Sequence, residues 1–231
     1  MRIIVIGNGS TILEKENGNK IDSFDYVVRM GMCKIKGYEK YTGTKTDMFR
    51  LTWKQHFETK KYQDDNSKIT FNDTELNNFK DILFTNINDY DNFTEHDRFI
   101  ANRKHKTRFV TRYHIKKHNK TRLLHDRCLQ YFLTLHPHVK NIFYCDIKTH
   151  IHAIRQTCKS DHVIIPTNGI LTLNYIINAY PQEEIYITGY DGSMTRHYFK
   201  NNDTCSTTHN NINEHIYLKL LTKTGKVKIL E

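Results

Sequence analysis

The chain has 231 residues, with 35 Lys or Arg against 25 Asp or Glu and a formal charge of +10. That length holds one large domain with its own core. An apolar content of 38%, with no run of about 18 apolar residues, argues against a bilayer-spanning chain. An aromatic content of 12% argues against disorder, and the positive charge calls for an anionic partner: a nucleotide, polyphosphate, nucleic acid or acidic lipid surface.

Residues 3–6 (IIVI) are an apolar run closed by Gly7-Asn8-Gly9-Ser10. A buried parallel strand followed by a tight turn has this pattern. Met1-Arg2 leads straight into that run, so no secretory signal is expected. Tyr26 to Met30 predicts a second strand and Thr46 to Leu51 a third, followed by a polar stretch, 54–80, read as a surface loop. Residues 82–85 predict another short strand. The stretch 103–122 carries Arg103, Lys104, Lys106, Arg108, Arg112, Lys116, Lys117, Lys120 and Arg122 without an acid. It reads as a mobile arm, an acceptor-binding surface, a patch for anionic lipid, or a solvated face.

Leu124, Cys128, Phe132 and Leu135 share one helical face, ended by His136-Pro137. Residues 141–145 predict a strand, and Val163-Ile164-Ile165 is an apolar run before Pro166. Ile170, Leu173, Ile176 and Ile177 then give a helical face up to Tyr180-Pro181. A strand over 185–188, a helix from about Asn211 to Leu221 and an edge strand over 227–230 complete the chain. This alternation predicts an α/β fold: a single Rossmann-like domain over residues 1–231, its mostly parallel sheet flanked by helices, with a polar and basic loop region around 54–122. Cys33, Cys128, Cys145, Cys158 and Cys205 are odd in number and widely spaced, which favours reduced thiols and a cytoplasmic location.

Two corners have the chemistry of an anion site. Gly7-Asn8-Gly9-Ser10 follows the first strand, where a short turn offers backbone N–H groups to a phosphate. The dinucleotide fingerprint is incomplete, because residue 12 is Ile. Asn8 either bonds a ribose or phosphate or braces the turn. Pro166-Thr167-Asn168-Gly169 is the second corner, with Thr167 or Asn168 as a helix cap. Arg196-His197-Tyr198 and His209 with Glu214 are the notable histidine features, since His exchanges a proton near neutral pH. The chain has 14 His, so surface histidines are the plain alternative, and for Glu214 the plain alternative is a capping box with Asn211. A zinc site from Cys205, His209 and His215 matches no tight motif.

Taken in order, these segments resemble glycosyltransferase family 29, the sialyltransferases of the eukaryotic type. The long donor-binding motif corresponds to IGNGSTIL, IDSFDYVVRM and KGYEKYTGTKTDMFRL between Ile4 and Leu51. The short motif corresponds to PTNGILTLNYIINAYPQEEIYITGY from Pro166. His197-Tyr198 stands for the third motif, and His209 with Glu214 for the family's H-x-x-x-x-E. The departures are Gly31 where the family carries Asn, Thr167-Asn168 in place of Ser and Ser/Thr, and the absence of the family's cysteine pair. With no anchor or stem of the Golgi enzymes expected from this sequence, the resemblance is to a minimal bacterial or viral form.

The resemblance implies a GT-A-like variant of the Rossmann fold and an inverting transferase. Its donor would be a CMP-activated acidic sugar, sialic acid or Kdo, and its acceptor an oligosaccharide or glycolipid hydroxyl. His209 is then the general base, and His197 contacts the leaving phosphate. Gly7, Asn8, Gly9, Ser10, Thr167, Asn168 and Gly169 hold the donor, and Glu214 orients the last segment. Arg29, Tyr190 and Tyr198, in or beside the motifs, complete the expected donor-binding set. CMP leaves as a monophosphate and no D-x-D stands in the expected place after a central strand, so neither metal nor cofactor is expected. The rival readings are a basic nucleic-acid-binding protein, which lacks zinc-finger and RNP motifs, an NAD-dependent enzyme, and a transferase using another nucleotide sugar.

Overall fold

The structure is a computed structural model that describes residues 1–31, 33–51, 79–84, 133–134, 136–145, 149, 152–153, 156, 166–191, 195, 197–199 and 211–231. Its strands are β1 (Arg2–Ile6), β2 (Tyr26–Arg29), β3 (Met48–Leu51), β4 (Asp81–Phe84), β5 (Asn141–Tyr144), β6 (Glu184–Thr188) and β7 (Lys228–Ile229). They form one 7-stranded sheet in the order β5-β4-β3-β2-β1-β6-β7. Each neighbouring pair is parallel. Parallel strands covered on both faces have no polar face to present, which is why β1 reads as an unbroken apolar run. Of the expected elements, the basic stretch 103–122, most of the helix around Leu124, the run 163–165 and the loops 54–78 and 86–102 lie outside the described residues.

The helices with described bounds are α1 (Gly18–Asp22), α2 (Glu39–Thr42), α3 (Asn168–Ala179) and α4 (Asn211–Lys223), with a short 3-10 turn at Ser10–Glu14. On one face of the sheet Ile3, Val5, Val28, Met48, Leu83, Ile185 and Ile187 pack with Ile170, Leu173 and Ile176 of α3 and with Tyr217, Leu218 and Leu221 of α4. On the other, Ile4, Ile6 and Val27 pack with Ile12, Ile21, Phe24, Tyr198 and Leu230. Ile12, the residue that spoils a dinucleotide fingerprint, is therefore a core residue of the second face.

Buried polar groups tie the layers together. Tyr217 donates to Asn174 Oδ1 at 2.8 Å, and Asn174 donates to the Ile170 carbonyl at 2.9 Å, so α4 is bonded to α3 inside the core. At the amino ends of the strands the Asp81 carboxylate accepts from Tyr26 and, at 2.8 Å, from Asn141. Burial and the adjoining carboxylate hold the Tyr26 phenol neutral far above its ordinary range. No described helix is long and apolar enough to cross a membrane.

Candidate functional site

The sheet order changes direction between β1 and β6. The chain leaves β1 toward β2 on one side, and β6 is followed by β7 on the other. Loops leaving two such strands diverge and open a crevice at the carboxyl edge, where open α/β sheets bind ligands. Gly7-Asn8-Gly9-Ser10 leaves β1 there, and Gly189-Tyr190-Asp191 leaves β6.

The two turns interlock. Gly7 N–H donates to Thr188 O at 2.8 Å and Gly9 N–H to Gly189 O at 2.9 Å. A Cβ on Gly7 would stand 2.2 Å from Gly189 O, so only glycine permits this approach. Gly189 itself has φ +65. Tyr190 fills the space between the two sequence corners: a Cβ on Gly7 would meet its ring at 2.9 Å and one on Gly169 would meet it at 3.2 Å. Its hydroxyl donates to Gly169 O at 3.1 Å, and burial raises the phenol's pKa well above the ordinary value.

The segment around His197 closes over the first turn. His197 forms an antiparallel bridge with Gly9, and Tyr198 N–H donates to Asn8 O at 3.0 Å. The Tyr198 hydroxyl donates to Lys34 O at 2.5 Å and accepts from Lys34 N–H at 2.9 Å. Burial raises this phenol's pKa as well. The His197 imidazole is exposed and stacks on Phe199, with ring centroids 5.4 Å apart. Ser10 N–H donates to Thr195 Oγ1 at 2.9 Å, and Thr195 in turn donates to Asp191.

Of the two alternatives read for Asn8, the structure shows the brace. Its Nδ2 donates to Gly31 O at 3.1 Å and so braces the turn. Its Oδ1 is buried with no hydrogen-bond partner among the described residues. An unmet buried acceptor costs about 1–3 kcal/mol unless a ligand donor or water reaches it. Gly31, where the resemblance expects Asn, contributes this backbone carbonyl.

The second corner is held by Glu214. Thr167 caps α3, its Oγ1 accepting from Ile170 N–H at 3.3 Å. Glu214, 1% exposed, accepts from Thr167 N–H and Thr167 Oγ1, both at 2.6 Å. Asn211 is the first helical residue rather than the cap before it, so the capping-box reading gives way to a bond across 47 residues. Asn168 opens α3 beside Gly169.

Arg29, at the end of β2, is bonded to the segment before β3. It is 0% exposed. Its Nε donates to Lys45 O at 3.0 Å and Thr46 Oγ1 at 2.9 Å, and its Nη2 to Thr42 O at 2.8 Å. Nη1 has no partner among the described residues, and burial lowers the pKa of the guanidinium. His209 lies outside the described residues. Sequence reasoning passed over three features: Asp191 and Thr195, which support Ser10, and Arg50, buried at 1% exposure in β3. A charged residue inside an apolar strand was the available signal for Arg50. No described group of three or more His, Cys, Asp or Glu has the spacing of a metal site.

A parallel sheet with glycine turns and a helix N-terminus at its switch point defines the class: an α/β fold of the nucleotide-binding type. The model of glycosyltransferase family 29 (sialyltransferase) matches residues 1–226, and the chain belongs to this family. It is 42% identical over 52 residues to the Homo sapiens CMP-N-acetylneuraminate-beta-1,4-galactoside alpha-2,3-sialyltransferase, covering 22% of this chain and 14% of that protein. It is 48% identical over 48 residues to the Gallus gallus alpha-N-acetylgalactosaminide alpha-2,6-sialyltransferase 1, covering 21% of this chain and 8% of that one. The chain thus aligns with a small part of these relatives. A crystal structure of a mammalian sialyltransferase superposes with a TM-score of 0.55 at 17% identity, over 99% of this chain and 68% of that one. The same fold is matched by a mammalian sialyltransferase in complex with Gal-beta-1-3GalNAc-ortho-nitrophenol, at 16% identity and TM-score 0.55.

Proposed function

We propose that this chain is an inverting sialyltransferase, moving sialic acid or Kdo from a CMP donor to a glycan hydroxyl. The observation that carries the reading is the meeting of three motif segments at one switch point in a member of this family: the turn after β1, the corner before α3, and His197. The relatives named for CMP-N-acetylneuraminate transfer support the donor class. The mammalian structure holding a galactoside supports a glycan acceptor.

In this mechanism the acceptor oxygen attacks the anomeric carbon as the bond to the CMP phosphate breaks. His209 takes the hydroxyl proton. His197, exposed beside Gly9, stabilises the departing phosphate by a hydrogen bond or proton. The N–H groups of Gly7, Gly9 and Ser10 shape the first turn through bonds within the protein, the start of α3 faces a phosphate or carboxylate, and Asn8 Oδ1 accepts from the nucleoside. Glu214 keeps Thr167, Asn168 and Gly169 in place. CMP leaves as a monophosphate, so the chemistry proceeds without metal or cofactor. Buried thiols at Cys33 and Cys145 support a reducing, cytoplasmic setting.

Calorimetric titration with CMP, UMP, GMP and NAD in EDTA tests the reading. Selective CMP binding is expected, followed by transfer from CMP-sialic acid or CMP-Kdo that His209→Ala abolishes and His197→Ala weakens. Binding of another nucleotide or of nucleic acid, with none of CMP, overturns the donor assignment.

A further inference from the structure

The outward face of α4 carries an exposed apolar stripe with no partner among the described residues. Glu214, Tyr217, Leu218 and Leu221 are its buried residues. Ile212 is 66% exposed, Ile216 47% and Leu220 50%. Their spacing of four residues places all three on the side away from the core. Lys219 and Lys223 are exposed on that same side, and Glu214, the only acid of the helix, is buried. Beyond the helix come exposed Lys226 and then Ile229, which is 61% exposed on edge strand β7.

We infer that this face docks on an anionic lipid bilayer. Large aliphatic side chains interleaved with lysines and free of acids are the chemistry of a helix lying in the headgroup layer, where lysine stems run along apolar surface and their ammonium groups reach the phosphates. A protein partner is a poorer fit, because the buried centres of protein interfaces are depleted in lysine. A second copy is poorer still, since a two-fold contact sets this positive face against itself. The overall charge of +10 adds attraction to the same surface. Docking there has a geometric consequence for the crevice. The buried side of α4 holds Thr167 through Glu214, so the helix resting on lipid is bonded to the second glycine corner.

Co-sedimentation of the full chain with vesicles tests this. One set is phosphatidylcholine alone, and the other contains about 30 mol% phosphatidylserine. Binding to the anionic set only is expected. The triple substitution Ile212→Ser, Ile216→Ser, Leu220→Ser keeps every charge, including the basic stretch 103–122, and is expected to weaken that binding at least about tenfold. The pair Lys219→Glu, Lys223→Glu is expected to remove the preference for anionic vesicles. Circular dichroism and thermal midpoints of both variants should match the parent, because all five residues are exposed. Three results overturn the proposal: no binding of the parent chain, undiminished binding of the triple variant, or lipid-free self-association that the triple variant abolishes.

Discussion

Gly7→Ala places one methyl group where the two turns of the crevice touch. The added carbon would sit 2.2 Å from Gly189 O, 2.8 Å from its carbonyl carbon and 2.9 Å from the Tyr190 ring. Ordinary contact begins at 3.4 Å, so the backbones of β1 and β6 must part by about 1 Å at their carboxyl ends. Overpacking of this kind costs about 1–3 kcal/mol. Parting the strands also stretches the Gly7–Thr188 and Gly9–Gly189 hydrogen bonds, worth about 1 kcal/mol each. The sum is roughly 3–5 kcal/mol, and at about 2–4 °C per kcal/mol the thermal midpoint falls by roughly 6–20 °C. Gly37→Ala is the matched control. Gly37 has φ +85 and nothing within 4 Å of an added Cβ, so its cost is backbone strain alone, about 1–2 kcal/mol. Urea unfolding of the parent and both variants measures the difference. A Gly7→Ala loss no larger than that of Gly37→Ala refutes the steric argument.

A double-mutant cycle of Thr167→Val and Glu214→Gln, read by urea unfolding, should give a coupling of about 1.5–3 kcal/mol, the range for a hydrogen bond to a charged group. Additive losses would mean the two residues act separately. Asn8→Asp should lower CMP affinity at least about tenfold below that of Asn8→Ala, because it adds negative charge where the proposed donor phosphate approaches; equal affinities would remove Asn8 from the donor contacts. Tyr198 has a native pKa raised above its unfolded value near 10, so the native phenol stays protonated where the unfolded one ionises. Stability from this group is full below pH 10 and falls as pH rises above it, by about 1.4 kcal/mol per pH unit. The stability gap between the parent and Tyr198→Phe should therefore narrow above pH 10, and a constant gap across pH 9–11.5 would count against a buried neutral phenol there.

The strands were legible because their physics is local. Residues 3–6, 26–30 and 185–188 are apolar runs bounded by turn residues, and each lies within a residue or two of a parallel strand. The helices after Thr167 and from Asn211 were visible in their periodicity. The crevice was legible only as two separate corners. Nothing near Gly7 in the chain shows that Tyr190 lies against it, and nothing near Glu214 names Thr167, because these contacts cross 47 residues or far more. A local window therefore offered Asn211 as the partner of Glu214. Arg29 was read as a ligand contact from its motif, yet its three partners, Thr42, Lys45 and Thr46, are all in the segment before β3.

The position of β1 also governs how the crevice comes into being. This strand pairs with β2 some 23 residues later and with β6 some 182 residues later. Loop closure over the longer span costs about 2 kcal/mol more entropy, and such distant pairings are the slow ones. During synthesis β1 can join β2 while β6 is still being made. Until β6 arrives, the IIVI strand is an open apolar edge able to pair with any other extended chain. The crevice therefore has one wall before it has two, and the segment most exposed to misassembly is the strand that ends at Ile6.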